Sequence, residues 1–411
     1  MNLPLCRFCK TLLEHTFVDL GMSPLSNSYI REEHLNQMEP FYPLHAWVCS
    51  SCFLVQLEEY ERPERIFMDY SYFSSFSESG LRHASGFSAQ ATERFELKGE
   101  HLVIEIASND GYLLQYFVAR GTPVLGIEPA ENVARVAEKK GIPTLMKFFG
   151  TQTARELAAS GRHADLLIAN NVLAHVPDLN DFVAGMKLIL KPGGTISVEF
   201  PHLLELIEHN QYDTIYHEHF SYFSFSTVVR IFHAHGLKVF DAEEIPTHGG
   251  SLRLYACHEA VDPRPVHPRL ARLTERELAA GIRDLDLYSK FAERVRETKR
   301  ALLEFLIGVK RRGKSIVGYG APAKGNTLLN YCGIGKDFLD YTVDVSPHKQ
   351  GHFLPGTHIP VFHPEMIRQT CPDYVLILPW NLRDEIIEQL ADIRRWAGRF
   401  IIAIPKVEVI E

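Results

Sequence analysis

The chain has 411 residues, more than one compact domain usually holds, so we expect two or three domains. Asp and Glu (51) outnumber Lys and Arg (43), and the net charge of −8 gives no basic footprint for nucleic acid and argues against a membrane-surface protein. The amino-terminal residues do not resemble a signal peptide, and the apolar runs are of strand length rather than membrane-spanning length. We therefore expect a soluble cytoplasmic protein. The sequence does not determine its oligomeric state, and a monomer is one possibility.

The first element along the chain is a pair of cysteine motifs. Cys6 and Cys9 form one CxxC pair, and Cys49 and Cys52 form a second. Two such pairs in a reducing compartment favour one tetrahedral zinc ion, and four thiolates leave no open coordination position, so the ion would be structural. The alternative is that these cysteines are simply buried or incidental. We assign the scattered Cys257, Cys332 and Cys371 to packing.

A strand–helix alternation follows the cysteine region. Short β-rich runs occupy residues 101–106, 123–128, 164–169 and 194–200, with helical patterns at 132–140 and 179–190. This rhythm predicts βαβ units and a mostly parallel sheet. Pro192-Gly193-Gly194 is expected to end the helix that precedes the last of these strands.

The last third of the chain repeats the alternation. A charged helical region at 269–312 precedes strand-like runs that begin at 315, 341, 374 and 400, which predicts a second α/β domain. In this second domain Gly318-Tyr-Gly is followed by Asp344. The same layout occurs in the first α/β domain, where Glu105 is followed by Glu128. We expect an α/β protein with a zinc-binding module and linker at 1–68, a Rossmann-like domain at 69–262 and a Rossmann-like C-terminal domain at 263–411.

A cofactor site is expected at the carboxyl ends of the central strands, where open parallel sheets bind ligands. The first strand leads into a turn closed by Gly111, which allows close backbone approach, and the helix is expected to begin near Tyr112. Glu128 ends the second strand, where a carboxylate can accept both hydroxyls of an adenosine ribose. The alternative to a cofactor-binding role is a purely structural one, in which Asn109 and Asp110 form only a turn or a helix cap. The predicted cofactor-binding residues are Glu105, Ser108, Asn109, Asp110, Gly111, Leu113, Glu128, Asn170 and Asn171.

No GxGxxG cradle for a pyrophosphate follows the first strand, so a phosphate-free cofactor fits this turn better than NAD does. Here the sequence resembles class I S-adenosylmethionine methyltransferases, and more narrowly the C-methyltransferases of deoxysugar nucleotides. The motifs that carry the resemblance, in order, are the CxxC pairs, Ser108-Asn-Asp-Gly111, Asn170-Asn-Val-Leu-Ala-His175, Tyr216-His-Glu-His219, His248-Gly-Gly-Ser-Leu-Arg253 and Gly318-Tyr-Gly-Ala-Pro-Ala-Lys324. The resemblance implies S-adenosylmethionine and structural Zn²⁺ as cofactors. It implies a dTDP-linked 4-keto-deoxysugar as substrate, methylated at C3 or, in some relatives, at C5.

Methylation of carbon requires that a proton leave the carbon next to a carbonyl, helped by a base and by groups that stabilise the enolate oxygen. By resemblance, His219 is the base, with Tyr216 and Glu218 beside it, and His175 polarises the 4-keto oxygen. Tyr70 is the expected functional tyrosine above the site, with Tyr72 as its substitute. The competing interpretations are a metal-binding HxH pair, a structural helix-end histidine at 175 and a tyrosine tract buried between domains.

Substrate contacts are expected from two further motifs. Gly250, Ser251 and Arg253 combine a flexible turn, a hydroxyl and a guanidinium, which suits a phosphate or sugar oxygen, although a β-hairpin with a surface arginine fits nearly as well. Lys324 and Asn326 follow a strand and open a helix, where backbone amides can bind an anion. The resemblance suggests that this C-terminal domain closes over the nucleotide diphosphate.

Three other functions compete with C-methylation of a sugar nucleotide. One is an NAD-dependent nucleotide-sugar oxidoreductase or epimerase, disfavoured by the missing glycine motif. Another is a zinc-dependent methyltransferase that binds nucleic acid, disfavoured by the acidic charge. A non-catalytic zinc-ribbon scaffold is the third. A methyltransferase that acts on another small-molecule carbon acid is a variant of the leading hypothesis.

Overall fold

The structure is a computed structural model that describes residues 3–67, 73–260 and 263–410. The strands are β1 His15–Ser23, β2 Tyr42–Val48, β3 Val55–Leu57, β4 Val103–Ile106, β5 Val124–Ile127, β6 Thr144–Leu145, β7 Ala164–Asn170, β8 Leu190–Pro201, β9 Ser221–Tyr222, β10 Leu237–Ile245, β11 Ser251–His258, β12 Ile316–Tyr319, β13 Thr342–Val343, β14 Val361–Phe362, β15 Tyr374–Ile377, β16 Arg399–Ile402 and β17 Glu408–Ile410. The α-helices are α1 Pro63–Phe67, α2 Glu78–Arg94, α3 Leu114–Val118, α4 Glu131–Lys139, α5 Thr151–Ala159, α6 Leu179–Ile189, α7 Leu203–Glu208, α8 Phe225–Ala234, α9 Arg269–Ala280, α10 Leu285–Arg311, α11 Ala323–Cys332, α12 Glu365–Thr370 and α13 Arg383–Gln389. None of the helices in these described ranges is both long and apolar enough to cross a lipid bilayer.

The chain divides into two compact units. Unit 1 comprises residues 1–14, 49–203 and 220–283, and unit 2 comprises 15–48, 204–219 and 284–411. Both units are therefore assembled from segments that are distant in sequence. The three consecutive domains expected from the sequence, 1–68, 69–262 and 263–411, remain a proposal about its functional modules.

Unit 1 is built on a seven-stranded sheet of order β10-β11-β8-β7-β4-β5-β6. The five strands from β8 to β6 run parallel, and β11 and β10 are added antiparallel at one edge. Every residue of β4 and β5 is buried, as expected for central strands covered on both faces. Ser77, Asp178 and Ser224 cap α2, α6 and α8 through side-chain oxygens that accept backbone N–H groups.

Unit 2 contains a six-stranded sheet of order β14-β13-β12-β15-β16-β17, parallel except for β17. The hairpin of β1 and β2 packs on α10, where the Phe17 ring stacks on Phe291 with centroids 4.5 Å apart. Asp284 caps the amino end of α10, and Lys310 and Arg311 lie in its last turn, where the helix dipole favours cations.

The two parallel sheets confirm the predicted α/β fold class with a second α/β domain. Two local predictions were wrong. The helix after β4 begins at Leu114 rather than near Tyr112. Pro192-Gly193-Gly194 lies within β8 instead of ending the preceding helix, which already ends at Ile189.

The two sheets share one detail of their first βαβ turns. In unit 1, Asn109 N–H donates to Glu128 Oε2 at 3.0 Å. In unit 2, Ala321 N–H donates to Asp344 Oδ2 at 2.8 Å. In each case a carboxylate after the second strand holds the loop that follows the first strand, so the parallel order of residues noted in the sequence has a counterpart in the structure.

Candidate active site

The four cysteines of the CxxC pairs come together in unit 1. Their Sγ atoms all lie within 4.8 Å of one another, with Cys6–Cys52 and Cys9–Cys49 separations of 3.5 Å. Four thiolates around one Zn²⁺ at ordinary bond lengths lie about 3.8 Å apart, so the cluster fits a tetrahedral zinc site. It leaves no position for a substrate, which makes the site structural.

The backbone around the cysteines forms two matching knuckles. Cys6 and Cys49 each donate N–H to the carbonyl five residues later, at 2.8 and 3.0 Å. Lys10 and Phe53, each directly after the second cysteine of a pair, both take a left-handed conformation, with φ of 62° and 60°. Gln56 Nε2 donates to Cys6 Sγ at 3.3 Å, and such a bond stabilises a thiolate ligand.

The predicted cofactor loop lies at the carboxyl end of β4. Ala107, Asn109 and Gly111 all have positive φ, and the loop is pinned by Ala107 N–H, which donates to Ile127 O at 2.7 Å. Gly111 has a φ of +76°, which strains any other residue, and a Cβ there would also lie 2.3 Å from Ile142 Cδ1, so this side chain would have to move. Leu113 is fully buried under the loop.

Two buried carboxylates flank this loop. Burial raises the pKa of Glu105 well above its ordinary value, and the negative charges of the nearby Glu128 and Asp110 raise it further. Burial also raises the pKa of Glu128, against the effect of the Ala130 and Asn109 amides that donate to it. Both oxygens of Glu128 accept these amides, at 2.9 and 3.0 Å, and each keeps a further lone pair.

Polar atoms without a partner collect at the same edge of the sheet. Asn170 ends β7, and Asn171, with a φ of 53°, donates its N–H to Glu199 O at 2.7 Å. Within the described part of the chain, these buried oxygens have no hydrogen-bond partner: Glu105 Oε2, Ser108 Oγ, Asp110 Oδ1, Asn170 Oδ1 and Asn171 Oδ1. Buried polar groups in folded proteins are normally paired. Five of them around one loop fit a polar cofactor such as S-adenosylmethionine, which would pair them when bound.

The predicted tyrosines, Tyr70 and Tyr72, lie outside the described residues. The residues that follow them are joined to the cofactor loop. Ser74 N–H donates to Asn109 Oδ1 at 3.0 Å, and Ser75 Oγ donates to Asp110 Oδ2.

The Tyr216–His219 segment belongs to unit 2, and its hydrogen bonds define one tautomer of His219. Nδ1 lies 3.0 Å from Thr214 O, and a carbonyl oxygen can only accept, so Nδ1 carries the hydrogen. In the neutral ring Nε2 is then the basic nitrogen, and it accepts from Tyr216 Oη at 2.9 Å. His217 instead donates Nε2–H to Pro43 O at 3.1 Å, and burial lowers its pKa. Among the described residues, neither histidine is part of a group with metal-binding geometry.

His175 lies in a 3-10 turn after β7, in unit 1. The residue before it, Ala174, accepts a hydrogen bond at 2.7 Å from the backbone N–H of Phe220. Phe220 directly follows His219 in the sequence. Both bonded residues belong to unit 1, so this bond joins the segment that begins at Phe220 to the loop that follows β7.

The Gly250–Arg253 motif lies at the start of β11. Gly250 O accepts His202 N–H at 3.0 Å, and Ser251 Oγ donates to Thr247 O at 2.9 Å. Arg253 is 3% exposed, in contrast to the surface arginine of the hairpin alternative. Its Nη2 donates to Glu199 Oε2 at 2.7 Å, and its guanidinium stacks on the Phe87 ring at 4.2 Å.

Lys324 and Asn326 lie in unit 2 at the start of α11. Lys324 Nζ donates to Asn381 Oδ1 at 2.8 Å and lies 4.4 Å from the centre of the Trp380 ring. Burial lowers the pKa of Lys324 and raises that of the nearby Asp213 to about 6. Asn326 is 1% exposed and donates Nδ2–H to Ser26 O at 2.6 Å.

Three residues that the sequence analysis did not select contact predicted site residues. Asn27 Nδ2 donates to Glu218 Oε1 at 2.6 Å. Lys140 Nζ donates to Asp110 O and Oδ2 at 2.9 and 3.2 Å. His83 Nε2 lies 2.9 Å from Nη2 of the predicted Arg253 and 2.9 Å from Oε2 of its ion-pair partner Glu199. No motif marks these residues, and each is far in sequence from its partner.

Comparison with known proteins places these features in one family. Family models described as "Putative zinc binding domain", "Methyltransferase domain" and "C-methyltransferase C-terminal domain" match residues 6–67, 81–242 and 246–405. The C-methyltransferase NovU of Streptomyces niveus is 36% identical over 405 residues, which cover 98% of this chain and 96% of NovU. The chain belongs to the C-methyltransferase family. This C-methyltransferase is an enzyme that uses S-adenosylmethionine, and its four-cysteine cluster lies within the segment that matches the family's zinc-binding domain.

Two more distant similarities each cover only part of the C-methyltransferase. A ubiquinone biosynthesis O-methyltransferase of Methylobacterium sp. (strain 4-46) is 31% identical over 96 residues, or 22% of this chain and 37% of that protein. The crystal structure of magnesium protoporphyrin IX methyltransferase from Synechocystis PCC 6803 with bound SAM covers 43% of this chain and 79% of its own, with 15% identity and a TM-score of 0.34. A TM-score this low carries no weight for function.

Proposed function

We propose that this C-methyltransferase transfers a methyl group to C3, next to the 4-keto group, of a dTDP-linked deoxysugar. The observation that carries the proposal is the hydrogen bonding of His219, which presents a basic Nε2 with a tyrosine hydroxyl on it. Carbon is a poor nucleophile until its proton is removed, so methylation of carbon needs a base with a defined tautomer. Methylation of a more basic nitrogen does not need such a base.

S-adenosylmethionine, when bound, supplies the methyl group as an electrophile. In the proposed reaction the Tyr216 hydroxyl gives up its hydrogen bond to His219 Nε2, and the lone pair freed on Nε2 takes the proton from C3. Glu218 is the acidic group of the same segment, and burial raises its pKa to about 7. His175 would polarise the 4-keto oxygen, and Tyr70 would cover the site.

The proposed cofactor contacts are those of the loop after β4 and of the neighbouring strand ends. Glu128 would accept the ribose hydroxyls through its remaining lone pairs, and Asn170 and Asn171 would meet the adenine or methionine portion. The proposed substrate contacts are Tyr72, Gly250, Ser251, Arg253, Lys324 and Asn326. Among these, Arg253 already forms an ion pair with Glu199. Glu199 on β8 is the register partner of Asn170 on β7, so the proposed role of Arg253 would be to hold the Glu199 carboxylate beside Asn170.

The test is a product analysis. The purified protein is incubated with dTDP-4-keto-6-deoxyhexoses and S-adenosylmethionine labelled with ¹³C in its methyl group, and the product is examined by NMR. The proposal expects a methyl carbon bonded to C3 of the sugar. Label on oxygen or nitrogen, or on a carbon acid other than the sugar, would contradict it.

The NAD-dependent oxidoreductase or epimerase considered from the sequence gains no support, because the relative that spans the chain is a C-methyltransferase. The carboxylate in unit 2 that could mark a nucleotide site, Asp344, already accepts from Ala321 N–H, Ser346 N–H and Lys349 Nζ, at 2.8, 2.8 and 3.5 Å.

A further inference from the structure

Glu218 is a buried carboxylate whose close hydrogen-bond donor comes from the far amino-terminal part of unit 2. The residue is 4% exposed, and its Oε1 accepts a hydrogen bond from Asn27 Nδ2 at 2.6 Å. The ionised form of Glu218 can only accept hydrogen bonds, so it is the form that the NH₂ group of Asn27 favours. Hydrogen bonds to charged acceptors are the stronger class of such bonds.

Asn27 is held in place by its neighbours along the chain. Asn326 Nδ2 donates to Ser26 O at 2.6 Å, and Tyr29 Oη donates to Ala321 O. Ile30 and Phe353 exchange backbone hydrogen bonds of 2.9 and 2.8 Å. The segment that carries Asn27 is thus fixed to unit 2 on both sides of this residue.

We propose that Asn27 is a positioning residue for methyl transfer, because its side-chain amide fixes the carboxylate of Glu218 in the segment that carries the base. The inference rests on the proposed function, in which Glu218 works beside His219. Asn27 acts through Glu218 and is assigned no contact with the substrate.

The groups around Glu218 act in opposite directions on its pKa, and the Asn27 amide is one of those that lower it. Burial raises the pKa of Glu218 to about 7, and the Asn27 hydrogen bond and the charge of Lys349 act in the opposite direction. Lys349 is shared among other partners, since its Nζ donates to Ala321 O at 2.9 Å and lies 3.5 Å from Asp344 Oδ2. The hydroxyl of Tyr29, whose pKa the charge of Glu218 raises, donates to Ala321 O, and the flanking His217 and His219 are bonded to Pro43 O and Thr214 O. Within the described part of the chain, Asn27 is thus the side chain that donates directly to the carboxylate and favours its ionised form.

Two variants test the inference in the full-length enzyme. Asn27→Leu removes the donor at similar volume, and Asn27→Asp keeps the shape but places a second carboxylate against the first. Removing a donor to a buried carboxylate shifts its titration upward by about one pH unit, which lowers the ionised fraction at pH 7 about fivefold. We expect kcat of Asn27→Leu to fall about fivefold at pH 7 and to recover above about pH 9, with KM for S-adenosylmethionine unchanged. Asn27→Asp should shift the acid limb of kcat further.

A second readout does not depend on activity. The C=O absorption of protonated Glu218 can be followed against pH by infrared difference spectroscopy and assigned by its absence in Glu218→Gln. Asn27→Leu should move this titration upward by the same amount as the acid limb. The matched control is Ser28→Ala, an exposed neighbour in the same turn, which should change neither measurement.

Several results would overturn the inference. One is a loss of kcat in Asn27→Leu that is equal at every pH, as a purely structural defect would give. Another is an effect of Asn27→Leu that persists undiminished in the Glu218→Gln background, since partners that act through each other should not add. Failure of the proposed function is separate: the wild-type enzyme would then form no carbon-bound methyl group, while the infrared titration would still decide whether Asn27 controls Glu218.

Discussion

The buried ion pair of Arg253 and Glu199 gives a sharp test of the electrostatics of unit 1, through the variant Arg253→Met. Burial alone would raise the pKa of Glu199, but the hydrogen bond from His83 and the charge of Arg253 lower it to about 2. An ordinary glutamate has a pKa of 4.5, and a difference of this size between folded and unfolded states is worth about 3 kcal/mol of stability. We expect Arg253→Met to lose about 3 kcal/mol of unfolding free energy at neutral pH, in the range found when one partner of a buried pair is removed.

The pH dependence follows from the direction of the shift. Because the folded pKa is depressed, the stabilisation is fully present above the unfolded pKa and is lost as pH falls toward 2. The difference between wild type and Arg253→Met should therefore shrink to about 1 kcal/mol at pH 3. Urea unfolding followed by circular dichroism at pH 7.5 and pH 3 measures both values.

Arg276→Met is the matched control. Its ion pair with Glu244 has the same N–O distance, 2.7 Å, but the two side chains are 36% and 57% exposed. An exposed pair is worth less than about 1 kcal/mol, so this variant should stay close to wild type. The double variant Arg253→Met/Glu199→Leu should be more stable than Arg253→Met, because no uncompensated charge remains. Equal losses at positions 253 and 276, or a loss at 253 that does not depend on pH, would refute the reasoning.

Three further predictions concern the chemistry and the cofactors. His219→Asn should lower kcat by about 10²-fold or more while S-adenosylmethionine still binds in calorimetry, and the exposed His209→Asn should have no effect; a fully active His219→Asn would assign the base elsewhere. Glu128→Gln should raise the Kd for S-adenosylmethionine about tenfold, as expected for loss of a charged hydrogen-bond acceptor, and an unchanged Kd would exclude the ribose contact. Cys52→Ser should abolish stoichiometric zinc, measured by plasma mass spectrometry, whereas Cys257→Ser, a buried cysteine outside the cluster, should retain it.

Local order and spacing made much of the molecule predictable from sequence. The spacing of the CxxC pairs is enough to predict the four-cysteine cluster, because two residues between cysteines let both thiolates bind one ion. The cofactor loop was found because Gly111 and Glu128 occupy fixed places relative to two β-rich runs. Both features depend on neighbours in the chain or on a regular repeat of strands.

Contacts across long stretches of chain were not predictable in this way. Asn27 and Glu218 are 191 positions apart, and His83 and Glu199 are 116 apart. Neither asparagine nor histidine has a local pattern that indicates a distant carboxylate. Pro192-Gly193-Gly194 is a related case. The tripeptide signals a turn, and pairing of β8 with β7 does jump from Leu190 to Thr195, but the chain resumes as the same strand, so the three residues form an irregularity within β8.

The assignment of residues 15–48 to unit 2 gives the zinc site a second consequence. The ion would join Cys9 to Cys49, 40 positions apart, and so close a loop whose interior belongs to a different unit from its ends. Free closure of a loop of this length costs about 3 kcal/mol of chain entropy. A metal that joins both ends offsets this entropic cost, so zinc loading would favour the ordered state of the segment 15–48 that carries Asn27.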